Sequence, residues 1–277
     1  MGGLTIPQLE RVALEVRRAI IRQLQVAGSG HAAGPLGFTE VMTALYFHVM
    51  RIDAEQPDWP ERDLLVMSNG HYAPLLYAVM AARGFFPSSE LGTLRRLGSR
   101  LQGHPERTML PGLETTSGPL GSGLSQAVGM AYHLHHLEPS PHRFVYCTLG
   151  DGELNEGNIW EAAMSAAKYQ LGQLIAIVDR NNIQIGGQTE DVMPLEDLRD
   201  KWESFGWHVQ EVDGHNMQSI IEATSMARSI TSRPSVIIAH TIPGRGVDFM
   251  EYDHTWHGKA PSAEDAERAL AQLEVYG

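Results

Sequence analysis

Five short β-rich runs recur along the chain, at Leu64–Met67, 144–149, 174–178, 208–212 and Ser235–His240, with helical patterns between them. A strand apolar on both sides needs cover on both faces, and helices between such strands are the usual cover. The alternation therefore predicts an α/β fold: a parallel sheet of at least five strands with helices on both faces. The first helix is marked by Leu9, Val12, Ala13, Val16, Ala19, Ile20 and Leu24 at three- and four-residue spacing, with Pro7 in its first turn and Gly28-Ser29-Gly30 ending it. A second apolar-periodic run covers 38–50. Further helices are expected over 72–82, 88–97, 123–137, 156–170, 195–204, 216–230 and 263–275. Asn155 is expected to cap the helix after it, and Ser262 with Asp265 to form a capping box. With no repeat and no linker, residues 1–277 read as a single domain. The Pro/Gly-rich stretches 103–123 and 243–261 are long connections of the kind that carry function.

Charge restricts what this fold can serve. Lysine and arginine total 21 against 33 acidic residues, a formal charge of −12. That balance argues against a nucleic-acid backbone as the main partner, and it makes an anionic ligand awkward unless a cation or a local dipole intervenes. The one cysteine, Cys147, excludes an intrachain disulfide and lies in an apolar strand, where it is expected to be buried and inert. No apolar run reaches the roughly 18 residues of a membrane span. The N-terminus has no signal-peptide core, and Ile6 breaks the myristoylation pattern. A cytoplasmic protein is the expectation.

The strongest chemical signal is Gly150-Asp151-Gly152, which follows a predicted strand and precedes a helix. The next strand runs into Asp179-Arg180-Asn181-Asn182, so an Asp and an Asn stand at the carboxyl ends of two strands, where α/β sheets bind ligands. A carboxylate, an amide oxygen and a nearby carbonyl form an oxygen-only set suited to Mg²⁺ or Ca²⁺, with phosphate oxygens completing the shell. Such a cation, helped by a helix N-terminus, would let an acidic protein hold a diphosphate. Either piece alone also reads as a plain turn without a ligand. Together, with 28 residues between them (153 to 180), they resemble the thiamine diphosphate motif, a GDG followed at this kind of distance by NN.

The rest of the chain is similar to the N-terminal part of the transketolase family, with motifs in order from residue 28 to residue 261. Gly30-His31-Ala32-Ala33-Gly34-Pro35-Leu36-Gly37 resembles the family's first histidine loop, though Ala32-Ala33-Gly34 departs from its usual Pro-Gly-Ala. Ser68-Asn69-Gly70-His71 resembles the second, and Gly103-His104-Pro105-Glu106 the third. Thr115 to Gly123 resembles the loop under the thiazolium, and His257-Gly258-Lys259-Ala260-Pro261 the last histidine segment.

The resemblance implies roles. Asp151, Asn181 and the carbonyl of Ile183 would hold Mg²⁺, for which Ca²⁺ or Mn²⁺ could substitute. Gly150 and Gly152 would lie at the diphosphate, with His71 and His257 against it. His257 would also face the substrate, and His31 and His104 would handle substrate hydroxyls. Gly118 would accept from the aminopyrimidine, and Leu120 and Ile185 would pack on the cofactor rings. Glu156 and Glu161 would join a buried carboxylate network at a subunit interface, with Glu156 also counted at the cofactor. Because the cofactor cleaves the carbon–carbon bond, the protein need only bind, orient and move protons, which histidines do near neutral pH.

The family implies a two-carbon ketol transfer between sugar phosphates, as in the pentose phosphate pathway. It also implies a partner: family members in one piece are more than twice as long, and their next domain brings the pyrimidine-binding glutamate and most of the phosphate-gripping arginines. A split enzyme is expected, a dimer of heterodimers completed by a separate C-terminal subunit. The alternatives are a 1-deoxyxylulose-5-phosphate synthase-like subunit, a 2-oxo acid dehydrogenase E1α-like subunit, or a cofactor-binding module without turnover. Three features have plainer readings. His133, His135 and His136 lack the i, i+4 pair of a helical zinc site and suit a solvated helix face. The glycines of 118–123 are in the wrong order for a dinucleotide fingerprint. Glu156 and Glu161, five apart, would stand about 140° apart on one helix, so they need not act as a pair.

Overall fold

The structure, a computed structural model, describes residues 4–276. Met1 to Gly3, on which the N-terminal reading partly rests, and Gly277 lie outside the described residues. Five strands form one parallel sheet: β1 (Leu64–Met67), β2 (Val145–Gly150), β3 (Leu174–Arg180), β6 (His208–Asp213) and β7 (Ser235–His240), in the order β1-β2-β3-β7-β6. A small antiparallel hairpin, β4 (Ile183–Gln184) and β5 (Gly187–Gln188), follows β3. All five expected sheet strands are present, each within two residues of its expected bounds.

Alternation along the strands divides the core into two layers. Leu65, Tyr146, Ile175, Ile177 and Ile237 face one side, under α1 (Ile6–Ala27), α3 (Thr39–Ala44), α4 (Ala73–Arg83), α9 (Met217–Ser229) and α10 (Ala263–Val275). Val66, Val145, Cys147, Leu174, Ala176, Val178 and Val236 face the other, under α5 (Ser122–Tyr132), α6 (Gly157–Lys168) and α8 (Leu198–Ser204). Every residue of β2 and β3 is buried, as double cover requires. The edge strand β6 keeps outward polar residues. The chain also forms two short helices, α2 (Ala33–Gly37) and α7 (Thr189–Val192).

Local signals mark several helix ends. Thr5 and Gln8 form a capping box at the start of α1, and Gly28 ends it at φ 66°, in the left-handed region. The Ser262–Asp265 capping box is present at α10. Four expectations need correction. Asn155 does not cap α6: Gly152–Asn155 winds as a 3-10 turn, Glu156 is the extended residue before the helix, and the Asn155 amide donates to the Met193 carbonyl at 3.2 Å. Residues 88–97 form only a 3-10 turn, Ser88–Thr93, because Arg95 adopts φ 60° and Leu97 is fully exposed. The 38–50 and 123–137 helices both end in π turns, Leu45–Val49 and His133–Leu137.

Candidate functional site

The parallel register sets Gly150 beside Asp179, so both strands deliver their next residues to one edge of the sheet. Asp151, 1% exposed, accepts from Gly152 N at 2.7 Å and Asn182 N at 2.7 Å, and pairs with Arg180 at 3.1 Å. Burial pushes its carboxyl up, and Arg180 and the two amides pull it back. Asn181 is held by its amide nitrogen, which donates to Asp179 at 2.7 Å and to Tyr72 at 2.9 Å. Both donors are thereby used, and among the described residues Oδ1 accepts only Ile183 N at 3.0 Å, leaving one lone pair for a cation. Asp179 is fully buried between the hydroxyls of Tyr72 and Thr241, and burial raises its carboxyl to about 7.

A hollow of about 130 Å³ opens at this edge. It brings together His71, Leu120, Gly150, Asp151, Gly152, Asn181, Ile183, Ile185 and His257, nine of the residues expected from the sequence. Leu120 and Ile185 present apolar surface, 39% and 75% exposed. A side chain at Gly118 would meet nothing within 4 Å, whereas a Cβ at Gly152 would come within 3.1 Å of Gln184. Gly118 lies outside the hollow's wall, as do Glu156 and Glu161, both exposed in the single chain; burying that pair requires another chain.

Three histidine rings converge beside the hollow. His31 lies 4.9 Å from His71 and 5.6 Å from His257, centre to centre, and His71 lies 5.3 Å from His257. The Nδ1 atoms of His31 and His257 are buried without a protein partner among the described residues. Burial, then the neighbouring His257, Arg95 and His104, lower His31 to about 4; burial lowers His257 to about 4 and drives His71 well below its usual range. His104 is the exposed member, lowered by burial and by Arg95. Near pH 7 these half-buried rings are therefore neutral, each with one donor and one acceptor nitrogen. NMR of ring-labelled protein should show His31 and His257 flat from pH 8 to 6 and titrating well below pH 6. A midpoint near the usual 6.5 for either would contradict this.

Tyr72, Glu153 and Gln184 also line the hollow and were not singled out by the sequence. Glu153, 2% exposed, accepts from Ser68 Oγ, from Gly121 N at 2.7 Å and from Gly150 N at 3.0 Å, tying the 118–123 loop to the end of β2. Its place directly after Gly152 was the available signal. Glu153→Ala would strand two buried amides, and chemical denaturation should show a loss of roughly 2–4 kcal/mol; a loss near zero would remove this role. Elsewhere, the His136 ring packs against those of His135 and Tyr132, and His133 lies 3.4 Å from Glu138. No group of three metal-binding side chains occurs among the described residues. Cys147 is fully buried, as expected.

Comparison with known proteins gives the chain a family. The family described as "Transketolase, thiamine diphosphate binding domain" matches residues 9–275. The chain is 43% identical over 271 residues to the 6-deoxy-6-sulfo-D-fructose transketolase subunit SqwG of Clostridium sp. (strain MSTE9), covering 97% of each. It is 40% identical to one of the subunits of the apulose-4-phosphate transketolase of Phocaeicola vulgatus, covering 97% of this chain and 94% of that one. Human transketolase is 39% identical over 96% of this chain, which spans 42% of the human enzyme. Transketolase from Leishmania mexicana superposes with a TM-score of 0.91 at 33% identity, over 96% of this chain and 41% of that one. The chain belongs to the transketolase family, whose thiamine diphosphate-binding domain it forms.

Proposed function

We propose that this chain is the diphosphate-binding subunit of a two-chain transketolase that moves a two-carbon ketol unit from a ketose phosphate to an aldose phosphate. The observation that carries the reading is the convergence of Asp151, Asn181, Ile183, His71 and His257 on one hollow at the ends of β2 and β3. The residues fit a metal-bridged diphosphate. The donor set is oxygen-only, Asn181 Oδ1 keeps a lone pair, and Gly152 offers backbone close to the site. Asp151, Asn181 Oδ1 and the Ile183 carbonyl would hold Mg²⁺, and Gly150, Gly152 and His71 would face the diphosphate. When bound, thiamine diphosphate supplies the carbanion chemistry that cleaves and remakes the carbon–carbon bond.

The chain's own part is to orient and to move protons. Leu120 and Ile185 give apolar surface to the cofactor rings, and Gly118 offers a backbone acceptor. The unpaired Nδ1 atoms of His31 and His257 are free to hydrogen-bond a substrate oxygen, and neutral rings can both give and take a proton. His104, more exposed, is assigned to hydroxyls farther along the substrate. Glu156 and Glu161 are assigned to a subunit interface. The reading includes one domain, a C-terminal partner carrying the pyrimidine-binding domain, a dimer of heterodimers, and work in the cytoplasm on reactions of the pentose phosphate type. The relatives' names favour ketol transfer over the deoxyxylulose phosphate synthase-like and E1α-like alternatives. They also name sugars differing in their terminal group, a sulfo-sugar and a sugar phosphate, so the donor panel should hold both.

The test follows a ¹³C-labelled two-carbon fragment by NMR in the complex with the partner, across that panel. Label should pass from one of these ketoses to an aldose phosphate. His104→Ala should lower kcat/KM by roughly tenfold to a hundredfold with cofactor affinity unchanged. Weakened cofactor affinity with kcat/KM restored at saturating cofactor would reverse the assignment of His104, and absence of label transfer from every ketose would refute the activity.

A further inference from the structure

Arg180 closes β3 and is only 9% exposed. Its Nη1 lies 3.1 Å from Asp151 Oδ2, and its Nη2 is bonded to Glu190, a residue of α7 whose side chain is 42% exposed. Four donors thus converge on the Asp151 carboxylate. Gly152 N at 2.7 Å and Thr189 Oγ1 at 3.3 Å serve Oδ1, while Asn182 N at 2.7 Å and Arg180 Nη1 serve Oδ2. An ionised carboxylate offers about four lone-pair sites, so these donors fill it.

A divalent cation can use Asp151 only by displacing one of them. Gly152 N and Asn182 N are backbone groups fixed by the 3-10 turn and by the turn after β3, where Asn182 adopts φ 64°. Thr189 Oγ1 makes the longest bond and carries no charge. Arg180 differs on two counts. It is the full positive charge in the set, and it opposes a second cation across a buried site where repulsion is poorly screened. It also has somewhere else to go, since Glu190 already holds its other nitrogen. We infer that Arg180 competes with the divalent cation for Asp151, and that Glu190 sets how readily Arg180 gives the carboxylate up. This rests on the metal-bridged reading of the site and adds what controls its affinity.

Two substitutions in the full chain should act in opposite directions. Mn²⁺ binding followed by electron paramagnetic resonance, with and without thiamine diphosphate, should tighten roughly tenfold in Arg180→Gln, the scale of one partly screened ion pair. In chelator the same variant should melt at a lower temperature than the unsubstituted chain, because Asp151 loses its counter-ion. Glu190→Gln should weaken Mn²⁺ binding several-fold, since Arg180 then has Asp151 alone. Arg180→Lys, which keeps the charge, should stay nearer the unsubstituted chain than Arg180→Gln does. A residue serving only to brace the loop would give weaker binding in both Arg180→Gln and Glu190→Gln, and that result overturns the inference, as does unchanged binding in Arg180→Gln. If Arg180→Gln does not fold, Glu190→Gln decides: equal or tighter binding overturns it. An unsubstituted chain that binds neither Mn²⁺ nor the cofactor would overturn the metal-bridged reading itself, and this inference with it.

Discussion

Asp151→Asn is expected to lower the affinity of the chain for thiamine diphosphate with Mg²⁺ by roughly a hundredfold or more. Of the three proposed ligands, Asn181 and Ile183 offer neutral oxygens, so Asp151 supplies the only formal negative charge. The amide is nearly the same shape, but its nitrogen is a donor in a pocket that already aims four donors at the position. The substitution thus removes the metal's anionic ligand and leaves a buried donor facing donors, which also costs stability. A melting curve separates the two effects. Calorimetric titration should find little binding by the variant, and none by the unsubstituted chain in excess chelator until Mg²⁺ is restored. Unchanged affinity in chelator would contradict the metal bridge.

Much of this site was legible because its parts follow strand ends. Near-continuous apolar runs located β2 and β3, and a parallel sheet puts their carboxyl ends together whatever the intervening chain does. That is why Asp151 and Asn181 could be paired from sequence. Residues whose work depends on neighbours remote in the chain were not legible in that way. Glu153 acts through Gly121, 32 residues away, and Ser68, 85 away. Arg180 stood in view beside Asn181, yet no spacing rule says that it pairs with Asp151 across 29 residues. Asn155 was misread because a capping residue type before an apolar run also suits a 3-10 turn, and the intervening Gly152–Asn155 winding moved the helix start to Gly157. In the π turns Leu45, Tyr46 and Leu134 stay buried like apolar residues of the helices before them, so periodicity alone cannot mark where the winding changes.

The second large effect concerns the partner. At the hollow, Leu120 and Ile185 are 39% and 75% exposed, and at the end of α7 Val192 and Met193 are 45% and 57% exposed, apolar surface that a covering chain would remove from water. The chain spans nearly the whole of relatives named as subunits and 42% of the human enzyme. In the proposed assembly the other chain brings the glutamate that activates the aminopyrimidine and the main grip on the substrate's terminal anion. The isolated chain is therefore expected to hold the cofactor weakly, enclosing one side of it, and to catalyse no ketol transfer.

The most direct measurement is ketol transfer with the chain held at fixed concentration while the purified C-terminal subunit is titrated in, with thiamine diphosphate and Mg²⁺ present. Neither chain alone should be active, and the rate should rise to a plateau at one partner per chain, with the plateau species having the mass of two copies of each. Robust transfer by this chain alone, at a purity that excludes a co-purifying subunit, would contradict this, and so would a mixture that forms the complex but transfers nothing.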